Sequence, residues 1–490
     1  MLRSLYLVLA ALLVTSSAFG QTRAAPGTID GYVTTQSKTI ALSGAQVVIR
    51  NALNEEISTV VTEGDGHFRV IALPDGRYRI TVTLEGFEAT TVQASVASGA
   101  VVELAIDLPI ATISQTVDVV GAASSIATGA TLAPTDSIGG RDIDQYAAGG
   151  FQAALRLLAS IIEVPGGLSI KGGRPSQAGV QIGAGTLVDP STGLPIVSLP
   201  DDAIDSVAVL PNPYAVEYGR FSSGLVVIQT RRAGDTWRTR LNNLDPTFRT
   251  ARGTMFDVKG ISAFAPRLET GGPIVKDQLF LEQTAQFRYG TSDVPSRPED
   301  ELKTTRWLSS FSRVDWNLSP RHSVIGTGGF FPSVETWATL GTFTPPDATV
   351  DIHAHVNHGG ISERALWSDS LFSETTVQVH EAQTEVLPQG MLPMALLPET
   401  TLGNFYNTQY RRTATYQFVE TVSGSRNIKG GLHLFKAGFD ALYSSYDGTS
   451  TSRPVLIERS DGSLARRLDF TGPSTQSVGS TDIALFAQDR

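Results

Sequence analysis

Cysteine is absent from all 490 residues. That excludes a disulfide framework, a thiolate metal site and a cysteine nucleophile. Positive charge is scarce: 38 Lys and Arg stand against 48 Asp and Glu, a net charge of −10. Nucleic-acid binding needs a basic face, so nucleic acid is not expected as a partner. Long apolar runs are missing as well. Beyond the N-terminus no segment approaches the ~18 consecutive apolar residues of a membrane-spanning helix. Neither His-Glu-x-x-His nor His-x-x-Glu occurs, which leaves zinc-peptidase chemistry without ligands. Gly172-Gly173 is not followed by Gly-Lys-Ser/Thr, so no phosphate loop is expected there. No Ser/His/Asp set or carboxylate pair stands at recognisable spacing. The expectation is a protein that is not an enzyme, with no catalytic residues, metal or cofactor.

What is present points outward from the cytoplasm. Met1-Leu2-Arg3 supplies a positive charge, Leu5 to Val14 an apolar stretch, and Ala18-Phe19-Gly20 a small-residue cleavage site before Gln21. Residues 1–20 therefore read as a secretory signal peptide. A secreted chain without membrane helices is either soluble or a β-barrel. With 41% hydrophobic and 18% charged residues, the chain is too apolar for disorder. Its length exceeds one typical core, so three or more modules are expected.

From Gly27 to about 110, short β segments alternate with turn signals. Asp65-Gly66 and Asp75-Gly76 are tight-turn dipeptides. Apolar residues recur at period two (Phe68, Val70; Tyr78, Ile80, Val82), as in strands half-buried in a small sandwich. The order of glycines, Asp-Gly-x-Phe-x-Val, Leu-Pro-x-Gly-x-Tyr-x-Ile-x-Val and Gly-Phe between Gly31 and Phe87 resembles the carboxypeptidase-regulatory-like domain. That resemblance implies an accessory sandwich without catalytic residues, a spacer or docking element.

Ser169 to Arg231 is the most informative stretch. It combines a glycine-punctuated strand–turn pattern, Asp201-Asp202 before Val207-Ala208-Val209, and Tyr218-Gly-Arg-Phe-Ser-Ser-Gly224 running into an apolar strand. Upstream, Phe151, Ala154, Leu155 and Leu158 repeat at helical spacing, ending near Pro165-Gly166-Gly167. Strands are expected at Leu168–Ile170, Val207–Leu210 and Leu225–Thr230. Asp201 and Asp202 favour the first turn of a short helix through the macrodipole. Residues 136–232 resemble the plug domain of TonB-dependent outer-membrane receptors, with Lys171 and Gln181 to Ala184 departing from that family's pattern. Arg174, Glu217 and Arg220 are candidates to pair with charges on the inner wall of a surrounding barrel, in a structural or a mobile role.

Residues 111–135 are small, polar and linker-like. Within them Thr116, Val117, Asp118, Val119 and Val120 resemble the TonB box of the same family. Such a segment can add as a strand to the edge of a partner's sheet and transmit a pull. The same residues also suit a last strand of the preceding sandwich.

From Thr236 onward the chain reads as amphipathic strands. In His433 to Tyr443, Phe435, Ala437, Phe439, Ala441 and Tyr443 face one way, and Lys436, Gly438 and Asp440 the other. This is the pattern of a strand with lipid on one side and polar contents on the other. Val377 to His380 repeats it. Gly271 to Phe280 resembles an early barrel hairpin of the family, Asn317 to His322 a short periplasmic turn, and Ile483 to Asp489 another barrel strand. Pro332 to Val350 and Pro388 to Asn404 read as extracellular loops, with His353, His355 and His358 as solvated loop histidines; His353 and His355 would otherwise share a strand face and could bind a metal. About ten strands are expected, against 22 in plugged transporters. An open sheet edge is not tolerated in lipid, so residues 233–490 are expected to be the first part of a barrel.

The fold class expected is mainly β: a small N-terminal β-sandwich (27–110), an α+β plug and a partial antiparallel transmembrane β-barrel. The chain resembles TonB-dependent outer-membrane receptors with an N-terminal carboxypeptidase-regulatory-like domain, the Oar-like subgroup, over its N-terminal part. The resemblance implies a receptor in the outer membrane with its N-terminal module in the periplasm. It also implies three partners: the TonB energy-coupling complex, outer-membrane lipid and an unknown small extracellular ligand imported by TonB-driven plug movement. Three other readings stay open: an adhesion or assembly protein on the same scaffold, a truncated remnant that does not transport, and a soluble secreted peptidase, which lacks a catalytic set.

Overall fold

The computed structural model describes residues 26–35, 40–84, 87–109, 137–139, 155–164, 167–195, 198–210, 216–254, 256–368, 370–428 and 431–489. The signal-peptide stretch, the TonB-box candidate Thr116 to Val120, Phe151 and Ala154 lie outside them.

Eight strands form the N-terminal sandwich: β1 (Gly27–Thr35), β2 (Ile40–Ala41), β3 (Gln46–Asn51), β4 (Glu56–Val61), β5 (His67–Leu73), β6 (Gly76–Thr83), β7 (Thr90–Val96) and β8 (Val101–Asp107). One sheet pairs β1 with β2, β5 and β8; the other runs β4-β3-β6-β7. Alternate residues Ile29, Val33, Val47, Ile49, Phe68, Val70, Ile80 and Val82 close the core between them. The Asp65-Gly66 turn is fixed by Gly66, whose φ of +75° and approach to the Val33 carbonyl leave no room for a Cβ.

Among the described residues the plug has seven strands: β9 (Ser137–Gly139), β10 (Ile161–Val164), β11 (Gly167–Ile170), β12 (Gly179–Ile182), β13 (Gly185–Thr186), β14 (Ile204–Val209) and β15 (Leu225–Thr230). β10 and β11 form a hairpin, and the rest a mixed sheet in the order β13-β12-β15-β14-β9. Val207–Val209 of β14 and Leu225–Ile228 of β15 are apolar at successive positions because both faces of the sheet are covered there. Leu155 and Leu158 are buried in the same core as Val180, Val207 and Val226, joined by Phe311 and Phe331 from the wall. Asp201–Ala203 forms a short 3-10 turn.

The third module is a twelve-stranded sheet. Its strands are β16 (Arg238–Asn242), β17 (Thr247–Thr250), β18 (Val258–Phe264), β19 (Arg267–Val275), β20 (Leu279–Asp293), β21 (Leu302–Ser319), β22 (His322–Thr336), β23 (Val350–Ser368), β24 (Leu371–Pro388), β27 (Asn407–Ile428), β28 (Gly431–Ser452) and β31 (Thr475–Asp489). The short strands β25 (Met394–Leu396), β26 (Thr401–Leu402), β29 (Val455–Glu458) and β30 (Leu464–Leu468) make a separate small sheet within the long loops. Neighbours on the path β16-β19-β20-β21-β22-β23-β24-β27-β28-β31 are antiparallel. Short turns follow β19, β21, β23 and β27, and longer loops follow β20, β22, β24 and β28. The wall therefore has a short-turn end and a long-loop end.

Burial along these strands inverts the rule for soluble proteins. Val377 and Tyr416 are 52% and 53% exposed, whereas their neighbours Gln378 and Gln417 are each 4% exposed. Arg313 and Asp315 are buried beside an exposed Trp316. A sheet that turns apolar side chains outward and polar ones inward is built for lipid outside and a polar filling inside. Strands of up to 22 residues exceed the ~9–11 that cross a bilayer, so they project beyond it.

Two local expectations are corrected. Strand β22 runs on to Thr336, past Pro332. His353, His355 and His358 lie within β23 rather than in a loop. His358 faces inward, buried, with its Nδ1 3.3 Å from Nδ1 of His380 on β24. No lipid lies against a strand above the bilayer, so the outward positions there need not be apolar and the alternation fades.

Candidate functional site: the plug–wall boundary

The plug lies against the inward face of β19 to β28, and the boundary is mostly polar. At one end, the tight β12–β13 turn places Thr186 against the wall. Its N–H donates to Gln417 Oε1 at 2.9 Å, and its carbonyl accepts from Gln378 Nε2 at 2.6 Å. A Cβ at position 185 would fall 1.8 Å from Gln378 Oε1, so any larger residue there must displace the Gln378 side chain from Thr186.

On the opposite flank the 3-10 turn aims two carboxylates at the wall. Asp201 accepts from Arg288 at 2.9 and 2.8 Å and from Gln286 Nε2 at 2.9 Å, while its own N–H donates to Gln286 Oε1 at 3.1 Å. Arg267 Nη1 lies 3.6 Å from Asp201 and 3.5 Å from Asp202. Next to it, Arg313 donates to the Thr230 carbonyl and hydroxyl at 2.7 and 2.9 Å, and grips Asp315 through two nitrogens at 2.9 and 2.7 Å. Arg231 reaches Glu269 at 3.3 Å.

Two of the three candidate plug charges meet β28. Glu217 accepts from Lys436 Nζ at 2.8 Å, and Arg220 pairs with Asp440. Lys436 and Asp440 are four residues apart and so point to the same face of the strand. Arg220 sits at φ +63°, a left-handed conformation that a non-glycine residue holds only when its surroundings over-determine it. Arg174 is exposed, in the turn that leads into Pro175–Gln177, where its N–H donates to Gln177 Oε1 at 2.8 Å. Burial, then the adjoining Glu217 charge, pushes the Tyr218 phenol above its ordinary value, while a hydrogen bond to Ser43 works the other way.

Sequence reasoning missed the pairs made by Asp201, Asp202 and Thr230. Their signal was present as polar residues at alternate strand positions: Gln286 and Arg288, Arg313 and Asp315, Gln378 and His380. Among the described residues, no group of three or more His, Cys, Asp or Glu could hold a metal ion. The arrangement holds one module inside another through exchangeable hydrogen bonds and ion pairs.

Comparison with known proteins fits this architecture. Residues 28–109 match the carboxypeptidase regulatory-like domain. The chain is 25% identical over 341 residues to the TonB-dependent transporter Oar of Myxococcus xanthus, covering 63% of this chain and 31% of that protein. Its fold matches the outer-membrane transporter YddB of Escherichia coli with a TM-score of 0.52 at 14% identity, covering 72% of this chain and 54% of that one. The siderophore receptor PirA of Acinetobacter baumannii matches with a TM-score of 0.53 at 13% identity, covering 72% and 53%. This chain thus spans about a third of the curated relative and about half of the solved receptors. It has the plug-and-barrel fold of TonB-dependent outer-membrane receptors, preceded by a carboxypeptidase-regulatory-like sandwich.

Proposed function

We propose that the chain acts as a TonB-dependent outer-membrane receptor that takes up a small extracellular ligand by displacement of its plug. In this reading the long-loop end faces outward and captures the ligand, the short-turn end faces the periplasm, and the sandwich lies there. Thr116 to Val120 would be held by the TonB complex as an added β-strand, so that a pull on it reaches the plug through the chain.

The observation that supports this best is the polar boundary. Asp201, Thr230, Glu217 and Arg220 join the plug to the wall through ion pairs and hydrogen bonds. Such groups can exchange their partners for water as the plug shifts. A continuous apolar interface would have to expose its core area at a cost of ~25 cal/mol per Å².

Photocrosslinking from position Val119 in energised cells tests the reading. An adduct with TonB is the expected result. Its absence, in a protein that has reached the outer membrane with its plug in place, contradicts the reading.

A further inference from the structure

The sandwich is not free beneath the plug. Ser43 Oγ, in the turn between β2 and β3, donates to Glu217 Oε1 at 3.1 Å and accepts from Tyr218 Oη at 3.3 Å. The same Glu217 oxygen accepts from Lys436 Nζ. One carboxylate oxygen of the plug therefore joins the sandwich to the barrel wall. Beside it, the buried Gln229 Nε2 donates to the Gly44 carbonyl at 3.1 Å.

Apolar contacts flank this junction on two sides. Val60 packs toward the sandwich core, whereas the next residue, Val61, faces away from it and is buried with Ala208, Leu210 and Leu225 of the plug. On the wall side, the Phe87 ring lies 6.0 Å from that of Phe372, just past the short β23–β24 turn, and the Arg364 guanidinium sits 5.9 Å from the Phe87 ring. Leu366 and Phe372 belong to the same apolar cluster as the sandwich core. The sandwich thus grips plug and wall together, at the short-turn end.

We propose that the sandwich is a latch on the plug, closed at rest, with Ser43, Glu217 and Lys436 as its catch. The plug cannot travel out through the short-turn end until the Ser43–Gly44, Val61 and Phe87 face separates from it. This rests on the receptor reading only in the direction of travel; the closed state stands on the contacts themselves. The catch is sensitive to charge. Ser43 Oγ lies within hydrogen-bond reach of Glu217 Oε1, which Lys436 already pairs, so a carboxylate in place of Ser43 would set two like charges against a single neighbouring ammonium and be repelled.

The absence of cysteine makes the test direct. Val61→Cys, in the full chain in outer membranes, is exposed to a maleimide admitted to the periplasmic side. Slow labelling is expected in the otherwise unaltered protein, rising at least about tenfold when Ser43→Glu or Gln229→Ala is added. Val47→Cys, fully buried in the sandwich core, should stay protected throughout, which separates undocking from unfolding. Rapid labelling of Val61→Cys alone, or continued protection with Ser43→Glu, overturns the latch. Repeating the experiment without TonB separates the two proposals. Labelling of Val61→Cys that is the same with and without TonB contradicts the transport reading, while protection at rest and release by Ser43→Glu still establish the latch.

Discussion

Arg288, on the barrel wall, donates to both carboxylate oxygens of Asp201, on the plug, across the boundary between the two modules. Both side chains are largely withdrawn from water. Arg288→Met should therefore weaken retention of the plug by about 2–4 kcal/mol, because it leaves a buried carboxylate short of a partner. Adding Asp201→Asn should restore much of the loss, since the remaining amide needs no counter-charge. Urea-induced release of the plug, followed by protease sensitivity, measures both steps.

Gly185→Ala should loosen the plug apex. The added methyl falls on Gln378, so the Gln378–Thr186 bond must break or the β12–β13 turn must retreat. A cost of about 1–3 kcal/mol is expected for overpacking at a fixed contact. Shortening the partner with Gln378→Ala in the same chain should relieve the clash, and the same urea assay reads the difference.

The outer surface of the wall should reject charge. Phe418 lies outward beside Phe439, with ring centroids 6.1 Å apart. Phe418→Lys should cost about 2–4 kcal/mol if the position lies near the bilayer midplane. The same exchange on a soluble protein's surface would be nearly neutral. The yield of heat-modifiable barrel in lipid vesicles distinguishes the two.

The sandwich should lose stability in acid through Asp30. Burial pushes this carboxyl up, but hydrogen bonds from Arg69 and His67 outweigh it and hold the group below its ordinary 3.8. A group depressed in the folded state stabilises the fold fully above its unfolded value and ceases to do so as pH falls through the folded one. The gap in Tm between the parent chain and Asp30→Asn should be present above 3.8 and close as pH falls below it.

Much of this architecture is legible in the residues because it is local. Asp65-Gly66 marks a turn through the conformation that only glycine accepts easily. The alternation of Phe439, Ala441 and Tyr443 against Asp440 gives the two faces of one strand. Val207-Ala208-Val209 and the apolar stretch from Leu225 mark two strands of the plug. Partners distant in sequence are not legible in this way. Glu217 and Lys436 are separated by 219 residues, and nothing in either segment fixes the register that joins them. The docking of the sandwich is hidden for the same reason: Val61 reads as one more strand residue until the plug is placed beside it. His353 to His358 was misread for a different reason. A strand that rises clear of lipid loses the apolar outward face by which it would be recognised.

The wall turns an apolar face outward, suited to lipid, and a polar face inward against the plug. Single cysteines at Val377 and Gln378, in a chain that otherwise has none, test this with nitroxide labels in reconstituted bilayers. The label at 377 should be accessible to oxygen dissolved in lipid and shielded from an aqueous nickel chelate, while the label at 378 should be shielded from both. Equal accessibility at the two positions, or lipid contact at 378, would mean that the wall is not two-faced in this way.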